Sequence, residues 1–409
     1  MQRKWRQSTS KRNIAGTQFT QGVIDFDFSV GSNTVFIPSK SYFRIAVKVE
    51  KSAAGGDPPA ENSDVAFANF CPGNLFDNCF FYAGGQNVSS CINYGPQAHA
   101  LAYRLRKSGA WMNSIGKDAY GICADFTTRS RMVKPANAEE KAENKLGQTP
   151  SRDDSGINTR YFIYQPPIGI MEHSKPMGAG SYRFQFNPAA NFEKACLQQM
   201  TDSAEFKMVV TGMELYICEE KMDISPTGTD VLHLLEHQVQ SKKLSESGSL
   251  DFTVPPSTKA LTVFVQSGKA GLNTQYPPSL FKGETDTKLT NLQLTFANTT
   301  KPPTNWMSMA GPNIEGLHQR YLDTQIESGQ AFSSGGCETM ADWLANGPVY
   351  HYTFVRDAND RSTQVQLSAQ WNNSVSGSTD NIFLVAHYTR SVEVQVESGY
   401  ISSVVSLNI

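Results

Sequence analysis

The chain has no CxxC pair, and its seven cysteines (71, 79, 91, 123, 196, 218 and 337) are odd in number. Such a set supports neither a disulfide framework nor a zinc knuckle and reads as reduced thiols buried as small hydrophobes. No stretch approaches the roughly 18 apolar residues of a membrane-spanning helix. The opening MQRKWRQSTSKR carries cations without an apolar centre, so no secretion signal is expected and the chain is expected to mature in a reducing cytosol or nucleus. Charge of one sign is also missing. A formal net charge of −2 with 18% charged residues gives no global field for nucleic acid or membrane.

Catalytic signatures are equally scarce. GxSxG, GxxxxGK[ST] and GxGxxG do not occur, and neither does the His-x-His cluster of a cupin metal site. His233-Leu234-Leu235-Glu236-His237 fits the HxxEH pattern, in which two histidines on one helical face hold zinc and the glutamate acts as base. Its surroundings, EHQVQSKK leading into DFTVPPS, read as β structure, so the pattern lacks its helix. Histidines 99, 173, 318, 351 and 387 are scattered and read as structural. Asp153-Asp154 lies in a polar loop that could not hold a glycosidase pair at fixed separation. No cofactor is called for.

What the chain does have is aromatic residues, 23 Phe and 15 Tyr, in alternating runs. Period two with one apolar and one polar face marks strands of a sheet wet on one side. Ile24/Phe26/Phe28/Val30 and Phe43/Ile45/Val47/Val49 face Asp25, Asp27, Arg44, Lys48 and Glu50. Gln364, Gln366, Ser368 and Gln370 alternate with Val365, Leu367, Ala369 and Trp371.

The runs recur in order. The first two are matched by Phe252/Val254 and Leu261/Val263/Val265, and Leu75–Tyr82 by Leu289–Phe296 at an offset of 214. Gly95-Pro96, opening a helix-like stretch to Lys107, is matched by Gly311-Pro312 at 216. Tyr182-x-Phe184-x-Phe186 is paired here with Tyr350-x-Tyr352-x-Phe354 at 168, each followed by Ala-Asn (190–191, 358–359). Met213/Leu215/Ile217 and Val392/Val394/Val396 close the halves. Fixed landmarks with shifting offsets indicate a tandem duplication whose loops differ. The expected fold is all-β: two tandem antiparallel eight-stranded jelly rolls with short helices in loops. The expected division is a mobile basic arm over residues 1–20, a first roll over 21–225 with a long loop at about 134–180, and a second roll over 226–409.

These landmarks resemble the double jelly-roll major capsid proteins, the lineage of virophage, Polinton-like virus, adenovirus and large algal virus capsids. The likeness rests on Asn69-x4-Asn74-Leu75-Phe76-Asp77-Asn78 through Gly84-Gly85, and on Tyr94-Gly95-Pro96. In the second half it rests on Asn346-Gly347-Pro348-Val349-Tyr350 to Asp360-Arg361, and on Leu384-Val385-Ala386-His387-Tyr388-Thr389-Arg390. The resemblance implies a virion protein made in the host cytoplasm or nucleus, without enzymatic activity. It implies a homotrimer forming a pseudo-hexagonal capsomer that meets neighbouring capsomers, vertex (penton) proteins and cementing proteins in an icosahedral shell. It further implies that Arg3, Lys4, Arg6, Lys11 and Arg12 face the interior, toward genome or inner membrane. Two other readings remain open at this point. One is a carbohydrate- or receptor-binding sandwich using exposed aromatics, and the other a zinc enzyme using His233 and His237.

Overall fold

The computed structural model describes residues 3–53, 65–122, 159–199, 204–222, 227–244, 248–284, 289–303, 314–336, 338–356, 360–371 and 379–407. Strands are numbered along the chain. One sheet of the first half runs β1 (Arg3–Thr9), β11 (Phe206–Lys221), β4 (Tyr42–Lys51), β8 (Thr159–Tyr164), with β3 (Thr34–Phe36) beside the far end of β11. The sheet opposite runs β2 (Ile24–Val30), β9 (Gly180–Pro188), β6 (Phe76–Ala83), β7 (Gln86–Cys91). A two-residue pair, β5 (Ala66–Phe67) with β10 (Leu197–Gln198), lies apart.

The second half repeats this plan. One sheet runs β12 (Gly228–Lys243), β19 (Asn381–Glu397), β14 (Thr258–Gln266), β17 (Tyr350–Thr353), with β20 (Tyr400–Leu407) beside β19. The other runs β13 (Gly248–Thr253), β18 (Gln364–Trp371), β15 (Leu289–Phe296), β16 (Thr299–Lys301). In both halves the first principal strand pairs the last and the second pairs the next-to-last, all antiparallel. That is the jelly-roll order of eight strands, with β3 and the β5–β10 pair added in the first half and β20 in the second. The chain is a double jelly roll.

The duplication extends to irregularities. The β6–β9 ladder slips between Phe76 and Asn78, and the β15–β18 ladder slips at the matching place, between Leu289 and Asn291. The hairpin after β6 turns through Gly84 and Gly85, both at positive φ, and the hairpin after β15 turns through Ala297 and Asn298, also both at positive φ. Two consecutive positive-φ residues make a turn whose twist suits a tight hairpin, and glycine adopts it without strain. Ala297 holds the same geometry despite its Cβ.

Three expectations need correction. The basic arm is not a mobile tail: β1 is the first strand of the first roll, paired with β11 from Arg3 opposite Glu220 to Thr9 opposite Glu214. Tyr182-x-Phe184-x-Phe186 and Tyr350-x-Tyr352-x-Phe354 are not equivalent either. The first is β9, paired with β2 and β6, whereas β17 pairs β14 as β8 pairs β4. The counterpart of β9 is therefore β18, and that of β17 is β8. Lastly, the loop expected at about 134–180 contains β8 and a 3-10 turn at Gly169–Glu172. Residues 134–158, Pro226, Gly311, Pro312, Ala358 and Asn359 lie outside the described residues. Described strands through Lys221, the β5–β10 pair aside, belong to the first pair of sheets, and those from Gly228 onward to the second.

Each sandwich buries the alternate residues of its strands. The first core is aromatic: Phe43 meets Phe26 at 5.1 Å and Phe186 at 4.9 Å, and Phe81 meets Phe184 at 4.7 Å. The second is mainly aliphatic, with Leu261, Val263, Leu292, Leu294 and Leu367 fully buried.

Candidate functional site, the contact between the rolls

A helix, α1 (Gly95–Arg104), links the first roll to the second. It starts where Pro96 supplies a preset helical φ and needs no N–H partner, and Gly95 permits a close approach: a Cβ there would stand 2.4 Å from the Phe76 carbonyl oxygen. Nearly all of α1 is buried. Its Gln97 donates to Gln266 Oε1 at 2.8 Å, while Gln266 donates to the carbonyls of Pro278 and Leu280. Tyr94, just before it, meets Phe383 edge-on at 5.4 Å and bonds Ser241 at 2.9 Å.

At the other end of α1, Arg104 donates twice to Glu338 Oε2, at 2.9 and 3.0 Å, and once to the Gly347 carbonyl. Asn346 holds the other Glu338 oxygen at 2.7 Å. Both charges are almost completely buried, at 1% and 3% side-chain exposure. A pair so deep depends on each partner, since removing either leaves an uncompensated charge.

Further along the contact, Ser89 of β7 donates to Glu236 of β12 at 2.5 Å, and burial pushes the Glu236 carboxyl up to about 7. Arg390 reaches both the side chain and the carbonyl of Asn87. Backbone bonds tie Gly109 to Gly336, Ala110 to Gly335 and Gln199 to Thr274.

His237, His351 and His387 meet in the same contact. The ring centroids of His237 and His387 lie 4.8 Å apart, and those of His351 and His387 5.2 Å. The Thr262 hydroxyl stands between His351 Nδ1 at 2.8 Å and His387 Nε2 at 2.7 Å. Arg106, two residues past α1, lies 3.2 Å from His237 Nε2 and pairs with Glu172. Sequence reasoning missed this trio because the three positions are far apart in the chain and share no motif.

The HxxEH segment is strand, not helix: His233 is exposed and bonds Ser391, Glu236 bonds Ser89, and His237 joins the trio. Among the described residues no group of three or more His, Cys, Asp or Glu is arranged to hold a metal ion. His99 is buried against Phe70, Tyr103 and Tyr164, and neither of its ring nitrogens has a hydrogen-bond partner. Cys71, Cys79, Cys91, Cys196 and Cys218 are free and buried, and desolvation raises the Cys79 and Cys196 thiols well above their ordinary range. The aromatic stripe Tyr350, Tyr352 and Phe354 is buried in the core. No described helix is long and apolar enough to cross a membrane.

Four of the five N-terminal cations bind the first roll. Arg6 donates twice to Glu219 and once to the Ser29 carbonyl, Arg3 pairs with Glu220, and Lys11 with Asp27. Arg12 donates to the carbonyls of Asn13, Gln18, Phe19, Gly22 and Val23, closing the loop before β2. Lys4 is exposed.

Among the described residues, one face has no covering element. On the outside of the β1–β11–β4–β8 sheet, Tyr42 stacks on Tyr216 at 5.1 Å and touches Trp5 at 5.7 Å, and Arg44 lies over Tyr161 and Tyr216 while pairing with Glu214. Trp5 is 50% exposed and Tyr161 56%.

No family model matches the chain, and no curated protein matches it by sequence. Solved structures match over nearly its whole length. A chain of the Sputnik virophage is similar at 12% identity and a TM-score of 0.63, covering 99% of this chain and 88% of that one. The mavirus major capsid protein is similar at 9% identity and 0.54, covering 98% and 90%. The Faustovirus major capsid protein is similar at 8% identity and 0.50, covering 97% and 90%.

Proposed function

We propose that the chain is a major capsid protein, a structural virion subunit that trimerises into a pseudo-hexagonal capsomer and builds an icosahedral shell. The fold shared with viral capsid chains supports the coarse reading. The observation that carries the trimer is the inequality of two equivalent sheets. The outer face of the β12–β19–β14–β17 sheet is covered by α1 and its flanks, β7 and the Gly169–Glu172 turn, whereas among the described residues nothing covers the outer face of its counterpart in the first roll. A contact between unlike surfaces of two similar rolls can repeat around a ring until it closes. Three chains would then supply six rolls, the second roll of one copy covering the first roll of the next. The second roll carries its own helix in the matching connection, Ile314–Glu327, with Ile326 and, just beyond it, Phe332 exposed.

Uncharged polar strands such as β18 suit packing beside further capsomers and beside vertex or cementing proteins. An interior role for the N-terminal segment would fall to Lys4 and the half-exposed Arg3. Arg6, Lys11 and Arg12 already have partners. The work of such a subunit is assembly, not catalysis.

Light scattering of the purified chain, with negative-stain images of the same peak, tests the reading. A mass of three times 45.0 kDa and a hexagonal outline are expected. A stable monomer at micromolar concentration would remove the trimer, and with it the capsomer.

A further inference from the structure

We propose that His237, His351 and His387 form an acid-released latch between the two rolls, closed while the imidazoles are neutral and opened by their protonation. This goes beyond the assembly reading and holds for a single chain whatever it assembles into.

The hydrogen bonds set the protonation state. A guanidinium can only donate, so the Arg106 contact requires a lone pair on His237 Nε2. An imidazolium has none, and protonation would replace that bond with two like charges. The Thr262 hydroxyl faces two ring nitrogens with one proton and two lone pairs, so it donates to at most one of them. Protonating both His351 and His387 would bring two like charges onto that one oxygen. A protonated trio thus breaks the Arg106–His237 bond, which crosses the roll boundary, and crowds like charges behind it in the second roll.

Nearby acids are already matched. Glu172, on the turn packed against β12, pairs with Arg106. Glu327, on the Ile314–Glu327 helix, bonds Lys301 of β16 and Thr353 of β17. Asp360 is held by Arg356. Lys259 of β14 adds a further cation beside the trio. Glu236, adjacent in β12, is bonded to Ser89, and Arg390 of β19 lies near it. New positive charge at the trio thus meets no free counter-charge. A cavity of about 490 Å³, lined by Arg106, Leu235, Lys259, Glu327, His351 and His387, gives solvent a way in.

Burial lowers His237 to about 3, His351 to about 4 and His387 well below its ordinary range; Arg106 adds repulsion at all three and neighbouring imidazoles at His237 and His387, while Glu327 offsets part of the shift at His351. These folded values lie below the unfolded value of about 6.5. The stability they contribute is therefore present above that pH and is lost as pH falls. Glu236 acts in the opposite sense, being relieved between about 7 and 4.5. One carboxyl against three imidazoles leaves acid opening the contact below about pH 6.

Hydrogen exchange of the full-length protein, corrected for intrinsic rate and compared at pH 7.5 and pH 4.5, tests the latch. Exchange across α1 and Leu232–Val239 should rise at least tenfold in acid while β6 and β9, deep in the first roll, stay protected. In H237Q the amide oxygen accepts from Arg106 at any pH, so the opening midpoint should move down by about one pH unit. Should H237Q fail to fold, a histidine NMR titration of the wild type decides instead. The three imidazoles should stay neutral until the opening transition and protonate together with it. An acid-insensitive contact, an unmoved midpoint in folded H237Q, or trio histidines titrating singly near 6.5 without opening would each overturn the proposal.

Discussion

Two sheets of one design sit in two different environments. In β4 the residues facing out of the first sandwich include Arg44, Ala46, Lys48 and Glu50. At the corresponding places of β14 stand Ala260, Thr262, Phe264 and Gln266, all buried. The inward residues of the two strands are similar, Ile45 and Val47 against Leu261 and Val263. The inner face therefore records the sandwich, which both rolls share, while the outer face records what each roll is pressed against. The second roll is pressed against α1 of the first. The first roll presents charges and half-exposed aromatics, a surface compatible with water and still able to take a partner.

Exchanging residues between the two faces should break this symmetry. Phe264 stacks on Phe281 at 4.0 Å and on Phe383 at 5.0 Å, so Phe264→Ala should destabilise the chain by about 3–5 kcal/mol in urea unfolding. Lys48→Ala, at the matching place in the first roll, should stay within about 0.5 kcal/mol. Equal losses at both positions would mean that the outer faces are not distinguished by coverage. Arg104→Ala should cost a similar 3–5 kcal/mol by stranding Glu338, and an Arg104→Met/Glu338→Leu double variant should recover most of it.

The next effect is pH-dependent. The folded carboxyl of Glu236 titrates near 7, above its ordinary 4.5, so its ionisation costs stability as pH rises through that window. Glu236→Gln should raise stability at pH 8 by about 1–3 kcal/mol and leave it little changed at pH 4.5, read from urea midpoints at the two pH values. A variant equally or less stable at pH 8 would show that the carboxylate is better solvated than its burial implies. The smallest effect belongs to the N-terminal edge. Arg3→Ala removes a half-exposed pair with Glu220 and should change stability by no more than about 1 kcal/mol.

Much of this was legible in the sequence, and the gaps have physical causes. Strands with one clean apolar face, such as β2, β4 and β18, declare themselves through period two. β1 does not, because RKWRQST is an edge strand exposed over most of its length whose partners, Glu214 to Glu220, lie at the far end of the roll. The match of β17 to β9 fails because alternating aromatics say only that a strand faces a core, not which sheet it joins. The register slips at Phe76/Asn78 and Leu289/Asn291 settle the equivalence, and they are properties of paired backbones. The covered sheet did leave a trace: ALTVFVQ in β14 carries no charge where FRIAVKVE in β4 carries three. The histidine trio left none, since the β12, β17 and β19 positions converge only when the sheet forms.

The central claim is that the open outer face of the first roll is covered by another copy of the chain, and oxidative footprinting of the native particle tests it most directly. Trp5 and Tyr161 are half-exposed in the single chain and should become strongly protected in the assembled peak, recovering their reactivity on dissociation. If both side chains react in the native particle as freely as in the dissociated chain, that face is not an assembly surface and the account of the trimer fails.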